Sequence, residues 1–435
     1  MDSTRGPELC LLPQQGAAVD VLESEEATVE NLANSSPARD WSQLQQDLLI
    51  RVFSRLEVPD LVYSGAVCLS WHQSYLAIRR FQLCSREQSP YLVYSSEDRD
   101  CNTATLHNVC TSKVYHAPLP DPPFRSRYII GSSHGWLVTA DEFSRLHLLN
   151  PVTGAQLALP PPQTIKGVRE SFNSDGVLIG HSIDTLSVEY RLVTARSDPS
   201  WDHLSFARVG DTKWTWLDAM ERCNLYHDFF FHGGDRLFYA IRNNGEVHTI
   251  DLNGSSPAVN VVFSALSRIN CYTHYILLAP WGDLLQIRRL YGDPPSDDSA
   301  SDSEQEQSHD ELGDSSLGEH EFEEDEEETS RERDSLTVHR VDLAEQKVTE
   351  IKDLQDHVIF VGFNKTFMVH TRDFPNLSPN CIYVSDDNSD YIYCHPFKGR
   401  FMTRFSLKDA ALTDLSFSKS LMDWPPPVWF RPHLT

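Results

Sequence analysis

Several common classes of protein are excluded by what this sequence lacks. Its nine cysteines are scattered singly, with no CxxC pair and no His/Cys spacing suited to zinc. An odd count in a chain of 435 residues points to reduced thiols in the cytoplasm or nucleus rather than to a disulfide framework. No apolar run reaches the roughly 18 residues a membrane helix needs. Residues 1–30 lack a basic start followed by an apolar stretch, so no secretory signal is expected. Lys and Arg number 37 against 63 Asp and Glu, a net charge of −26 that would repel nucleic acid. No Lys/Arg cluster forms a nuclear address, and no cofactor motif is present, so neither a membrane nor a cofactor is expected.

The acidity is unevenly spread. Residues 293–334 hold 19 Asp/Glu and two Arg, a local charge of −17, which leaves −9 for the rest of the chain. Seven of the eight residues in EFEEDEEE (321–328) are carboxylates. Like charges with few apolar residues predict a disordered insert over 293–334. Ser299, Ser301 and Ser303 each have an acidic residue three positions on, which suits acid-directed kinases. Residues 1–38, rich in Gln, Glu, Ser, Ala and Pro, read as a disordered leader.

What remains is periodic. Over 39–85, Leu44, Leu48, Leu49, Val52, Phe53 and Leu56 recur at helical spacing. Val58-Pro59-Asp60 breaks that helix, and Asp60 and Ser70 are candidate caps for two more. Three such short helices cannot bury three apolar stripes among themselves, so a partner or the following domain must cover part of them.

From residue 86 onward the sequence is strand-like and repetitive. An apolar-His-x-apolar motif occurs at His107, His147, His248 and His339, each time after a strand and a hairpin tip. The preceding strands begin at 91, 136, 237 and 284, and weaker units begin at 191 and 381. Once the acidic stretch is subtracted, the spacing is 45–55 residues. A four-stranded unit repeating at about that period predicts a β-propeller of about six blades. The acidic stretch falls between LLQIRRLY and LTVHRVDL, two strands of one unit, and is therefore an enlarged hairpin tip. Its deletion (296–332) should leave the propeller folded, since closure entropy grows only logarithmically with loop length; a melting experiment checks this.

Four motifs carry possible chemistry. Gly131-Ser132-Ser133-His134-Gly135 matches G-x-S-x-G, but the next residues, WLVTA, form a strand where a nucleophile elbow requires a helix. A Gly turn is the favoured reading; a hydrolase using Ser133 is the alternative. Asp386-Asp387-Asn388-Ser389-Asp390 is rich in oxygen ligands but lacks EF-hand spacing, so a polar tip is expected and no metal site. The four histidines occupy equivalent strands of different blades and are expected to be structural; a shared site facing a central channel is the alternative. Trp424-Pro425-Pro426-Pro427-Val428-Trp429 could be a ligand for a polyproline-binding domain, but it also suits closure of the ring by pairing of the chain's ends.

The helical segment resembles the F-box. Leu44, Asp47, Leu48, Leu49, Val52, Phe53, Ser54, Leu56, Asp60, Leu61, Val67, Cys68 and Trp71 fit its pattern, while Gln45 stands where that family has Pro. The remainder resembles the KIB-type propeller of plant F-box proteins, formerly a domain of unknown function. This likeness rests on SPYLVYSSED (89–98), GSSHGWLVTAD (131–141), LLNPVTGAQLALPPP (148–162), LSFARVGDTKWTWL (204–217), NCIYVSDD (380–387) and WPPPVWFRP (424–432). The resemblance implies a small all-α F-box followed by an all-β propeller, with Asp175 to Trp201 short for that family and the third blade therefore incomplete, and a non-catalytic substrate receptor of a Skp–cullin–F-box ubiquitin ligase. In that role Leu44, Leu48, Leu49, Val52, Phe53, Leu56, Pro59 and Leu61 meet a Skp-type adaptor, and through it cullin, while the propeller holds an unknown substrate protein. A non-ligase scaffold whose acidic loop holds basic proteins is the rival from another class.

Overall fold

The computed structural model describes residues 41–143, 145–161, 164, 179–186, 190–196, 202–208, 210–217, 226–254, 256–264, 272–290, 335–387 and 400–434. The leader, Ser299, Ser301 and Ser303, and the whole 293–334 insert lie outside these residues.

Three helices come first: α1 (Gln46–Phe53), α2 (Val58–Ser64) and α3 (Leu69–Phe81). Gln45 caps α1 with φ −61°, the value a proline ring imposes, so the position keeps a proline-like backbone without the ring. Pro59 does not break the chain as expected. It sits in the first turn of α2, where its missing N–H is no loss, and Glu57 rather than Asp60 occupies the cap position. Cys68, not Ser70, precedes α3.

The strands then form six sheets. The first contains β1 (Tyr91–Tyr94), β2 (Thr103–Asn108) and β3 (Val114–Pro118). The second is β4 (Tyr128–Ser133), β5 (Trp136–Ala140), β6 (Leu146–Leu149) and β7 (Gln156–Ala158). The third is β8 (Ile179–Leu186), β9 (Tyr190–Arg196), β10 (Asp202–Arg208) and β11 (Thr215–Trp216). The fourth is β12 (Tyr226–His232), β13 (Leu237–Arg242), β14 (Val247–Asp251) and β15 (Ala258–Phe263). The fifth is β16 (Tyr272–Leu278), β17 (Leu284–Leu290), β18 (Ser335–Asp342) and β19 (Lys347–Ile351). The sixth is β20 (His357–Val361), β21 (Phe367–His370), β22 (Cys381–Ser385), β23 (Met402–Ser406) and β24 (Ala411–Asp414). The last strand, β25 (Val428–Phe430), returns to the first sheet and pairs antiparallel with β1, Tyr91 opposite Phe430. The WPPPVW segment thus closes the ring.

Apolar side chains fill each seam between neighbouring sheets. Leu106 of the first sheet meets Leu149 of the second, and Val138 of the second meets Ala207 of the third. Phe206 of the third packs with Phe229 of the fourth, Ile241 of the fourth with Ile276 of the fifth, and Ile287 of the fifth with Ile359 of the sixth. Phe360 of the sixth packs with Leu92 and Trp429 of the first, which completes the circle. Strands such as β1, β5, β20 and β22 are therefore buried on both faces, which is why their sequences are mostly apolar and do not alternate with polar residues.

Five sheets are the expected four-stranded blades; the sixth departs from the pattern, so the expected count of about six such blades is not matched. Its order is β21-β20-β22-β23-β24, with β20 and β22 parallel. Between β20 and β21 the chain bends at Gly362, whose φ is +150°. A Cβ there would lie 2.0 Å from Ser385 Oγ, so only glycine fits. The third sheet, expected to be incomplete, has all four strands, though β11 is only two residues long. The segment after Gly362 reaches two other sheets. Lys365 N donates to Ser132 O of β4. Thr366 Oγ1 donates to the buried carboxylate of Asp228 in β12, which also accepts from Ile276 N of β16.

Candidate partner-docking site

The helical module has its own small core. Leu49, Phe53, Val58, Leu61, Tyr75 and Ile78 pack together, with Phe53 edge-on to Trp71 at 5.1 Å. This divides the eight residues expected to face an adaptor. Leu49, Phe53 and Leu61 are at most 2% exposed, and Pro59 is buried, so these four hold the module together. Leu44 and Leu56 are half-buried at its edge. Leu48 (41% exposed) and Val52 (54%) point outward, one turn apart on α1.

The structure adds side chains that were missed. Val67, Leu69 and Leu76 are also largely exposed, Leu69 and Leu76 two turns apart on α3. Among the described residues, eight of the fourteen exposed large apolar side chains fall within residues 44–83. Isolated exposed leucines are ordinary, whereas a concentration of this kind is what contact surfaces of proteins in general show. The spacing of Leu69 and Leu76 was available in the sequence, but nothing there told the outer face of α3 from its inner one.

The module is bound to the propeller, not tethered to it. Leu434 completes the helical core, and Val152 from the β6–β7 turn packs against it. Tyr63 stacks on Tyr115 of β3 at 6.0 Å and donates to His116 O. Lys113 Nζ lies 2.5 Å from Asp60. The buried Glu57 carboxylate accepts from Ser89 N and Ser89 Oγ and pairs with Arg86 at 3.1 Å. Gln88 Oε1 accepts from Val58 N.

The other motifs resolve as follows. Ser133 ends β4 and is followed by β5, so the G-x-S-x-G segment is a strand–turn–strand. Its Oγ lies 2.8 Å from His134 Nδ1, whereas a triad serine bonds Nε2 and leaves Nδ1 to the acid. Asp387 pairs with Arg289 at 2.8 Å and accepts from Tyr275 Oη, and Asp386 lies 3.7 Å from Arg400. Cations thus already hold the carboxylates that a metal would need; Asn388, Ser389 and Asp390 lie outside the described residues. His107, His147, His248 and His339 sit on β2, β6, β14 and β18, the third strand of four different sheets, so the fold does not bring them together. Burial lowers the pKa of each, His339 to about 4 with help from Arg288. Leu290 pairs directly with Ser335, so the acidic stretch leaves and re-enters at the tip of one hairpin.

A three-helix F-box segment fixed to a ring of sheets defines an F-box protein with a β-propeller. Residues 103–402 match the family model described as KIB1-4 beta-propeller, and the chain belongs to that family. It is similar to an F-box/kelch-repeat protein of Arabidopsis thaliana, 28% identical over 48% of this chain and 56% of that one. It is also similar to an Arabidopsis F-box protein, 28% identical over 31% of this chain and 32% of the other. The chain thus spans between a third and just over half the length of these relatives. Among solved structures, a 6-phosphogluconolactonase from Bacteroides uniformis is 13% identical over 78% of this chain and 98% of that one, with a TM-score of 0.36, too slight a likeness to carry an argument.

Proposed function

We propose that the chain is the substrate-recognition subunit of a Skp–cullin–F-box ubiquitin ligase, acting in the cytoplasm or nucleus without catalysis of its own. The observation that carries this reading is the concentration of uncovered apolar side chains on the helical module. Leu48 and Val52 are the members of the expected set available to a Skp-type adaptor, and Val67, Leu69 and Leu76 extend it. An apolar helical face of this kind suits a helical groove on a partner. The propeller, counting the five-stranded sheet as a sixth blade, then recruits the target protein. Because the module shares core and hydrogen bonds with the propeller, adaptor and target are held at a fixed separation.

Affinity purification of the full chain, with and without proteasome inhibition, tests this. Recovery of a Skp-type adaptor and cullin, with further proteins enriched when the proteasome is blocked, is the expected result. Recovery of basic proteins without cullin would instead favour a scaffold acting through the acidic insert.

A further inference from the structure

Lysine is scarce in this chain and unevenly placed. Of the 37 basic residues nine are lysines, and residues 1–165 hold eleven arginines but one lysine, Lys113. That single amine lies at the junction of the helical module and the propeller. A helix end or a solvated surface accepts either cation. Only lysine carries an amine that acyl transfer modifies.

The turn between β2 and β3 puts the amine in place. Asn108 Oδ1 accepts from Cys110 N and Thr111 N, Asn108 N donates to Lys113 O, and Asn376 Nδ2 donates to Cys110 O. The backbone under the side chain is thus tied on both sides. The side chain is half exposed and reaches across to α2, where Nζ pairs with Asp60. It lies over the ring of Tyr115 at 4.7 Å, and that ring stacks on Tyr63, one turn along α2 from Asp60. Pairing with Asp60 raises the pKa of the amine above its ordinary value. In the closed contact the nitrogen is therefore held as an ammonium ion. Opening of the contact increases the share that carries a lone pair.

We propose that Lys113 is an acylation site whose modification unlatches α2 from the propeller. The deprotonated amine attacks the carbonyl carbon of an acyl thioester. A C–N bond forms, the C–S bond breaks, and the leaving thiolate takes up the proton that the nitrogen gives up. The resulting amide is uncharged, so Asp60 loses its cation and the Tyr115 ring loses its ammonium. Acylation thus traps the opened contact, as a shift of population and not an unfolding. The inference rests on this junction alone and does not depend on the ligase reading.

The test combines labelling of the full chain with hydrogen exchange. Brief treatment with N-hydroxysuccinimidyl acetate, followed by peptide mass spectrometry, should acetylate Lys113. Asp60→Asn should speed that reaction relative to the exposed Lys213 and Lys408 in the same sample. Lys113→Gln has the neutrality of the amide, and its α2 amides should exchange about two- to fivefold faster than those of the parent, the range expected for loss of one exposed pair. Lys113→Arg keeps the charge and should match the parent. Chain isolated from plant cells expressing it should carry acyl groups at Lys113 in part of the peptides that cover it. Lys113 left unlabelled beside labelled Lys213 and Lys408 would overturn the proposal. So would α2 exchange no faster in Lys113→Gln than in Lys113→Arg, or cellular peptides uniformly unmodified at Lys113. If circular dichroism shows Lys113→Gln to be misfolded, Asp60→Asn supplies the exchange measurement, since it removes the same pair from the other side.

Discussion

The division of α1 into outer and inner residues makes a sharp prediction. Leu48→Asp/Val52→Asp changes two side chains that are 41% and 54% exposed. Substitutions at such positions shift stability by about 0.5 kcal/mol each. New like charges one turn apart add a few tenths, roughly 0.2–0.5 kcal/mol. The double variant should therefore fold, with far-ultraviolet circular dichroism and melting close to the parent. Leu49→Asp/Phe53→Asp changes residues that are 1% and 2% exposed. Each loses about 1.5–3 kcal/mol of apolar burial, and each leaves a carboxylate in an apolar site, where the effective penalty is several kcal/mol more. The total exceeds about 6 kcal/mol, comparable with the whole stability of many domains, about 5–15 kcal/mol. Both double variants should lose the adaptor, for different reasons. In the outer pair, two central contacts at about 2 kcal/mol each correspond to roughly a thousandfold loss of affinity. Titration against a purified Skp-type adaptor, with melts run in parallel, separates the cases. If Leu48→Asp/Val52→Asp bound as tightly as the parent, the outer face would not be the contact surface. If it melted as early as the inner pair, the burial argument itself would fail.

Other sites give equally direct outcomes. Trp429→Ala removes a fully buried ring that packs on Phe360 at 5.3 Å where the ends of the propeller meet; a loss of about 3–5 kcal/mol is expected in urea unfolding. Gly362→Ala places a methyl group 2.0 Å from Ser385 Oγ at φ +150°. It should lower the melting temperature strongly, and Ser385→Gly should restore only part, because the backbone strain remains. Removing Pro432 to Thr435 takes Leu434 from the helical core. Limited proteolysis should then cut between residues 82 and 90 sooner, while the melting of the sheets changes little.

Legibility in the sequence followed the physics of each element. The third strands were easy to find because an apolar-His-x-apolar run sits beside a turn in four units, and those units all became sheets. Ring closure by VWF was legible because two tryptophans flank a stiff proline run, which suits a packed, extended end. The five-stranded sheet was not legible. The parallel pairing depends on residues 371–380 returning the chain beside β20, with Phe374 and Leu377 buried at the seam with the first sheet. Nor could periodicity divide α1, since Leu48 and Leu49 are adjacent and both lie within a broad apolar stripe. Leu434, from the far end of the chain, joins residues of α2 and α3 in fixing which side is core.

The junction explains why the helical module can keep so much apolar surface uncovered. Three short helices alone bury too little to be stable. Here the missing core is supplied from elsewhere: Leu434 enters the helical cluster, Val152 packs on its edge, and the Glu57 carboxylate is satisfied by Ser89 and Arg86 instead of by water. The side of the module toward the propeller thus supplies stability, which leaves Leu48, Val52, Leu69 and Leu76 free of any structural task.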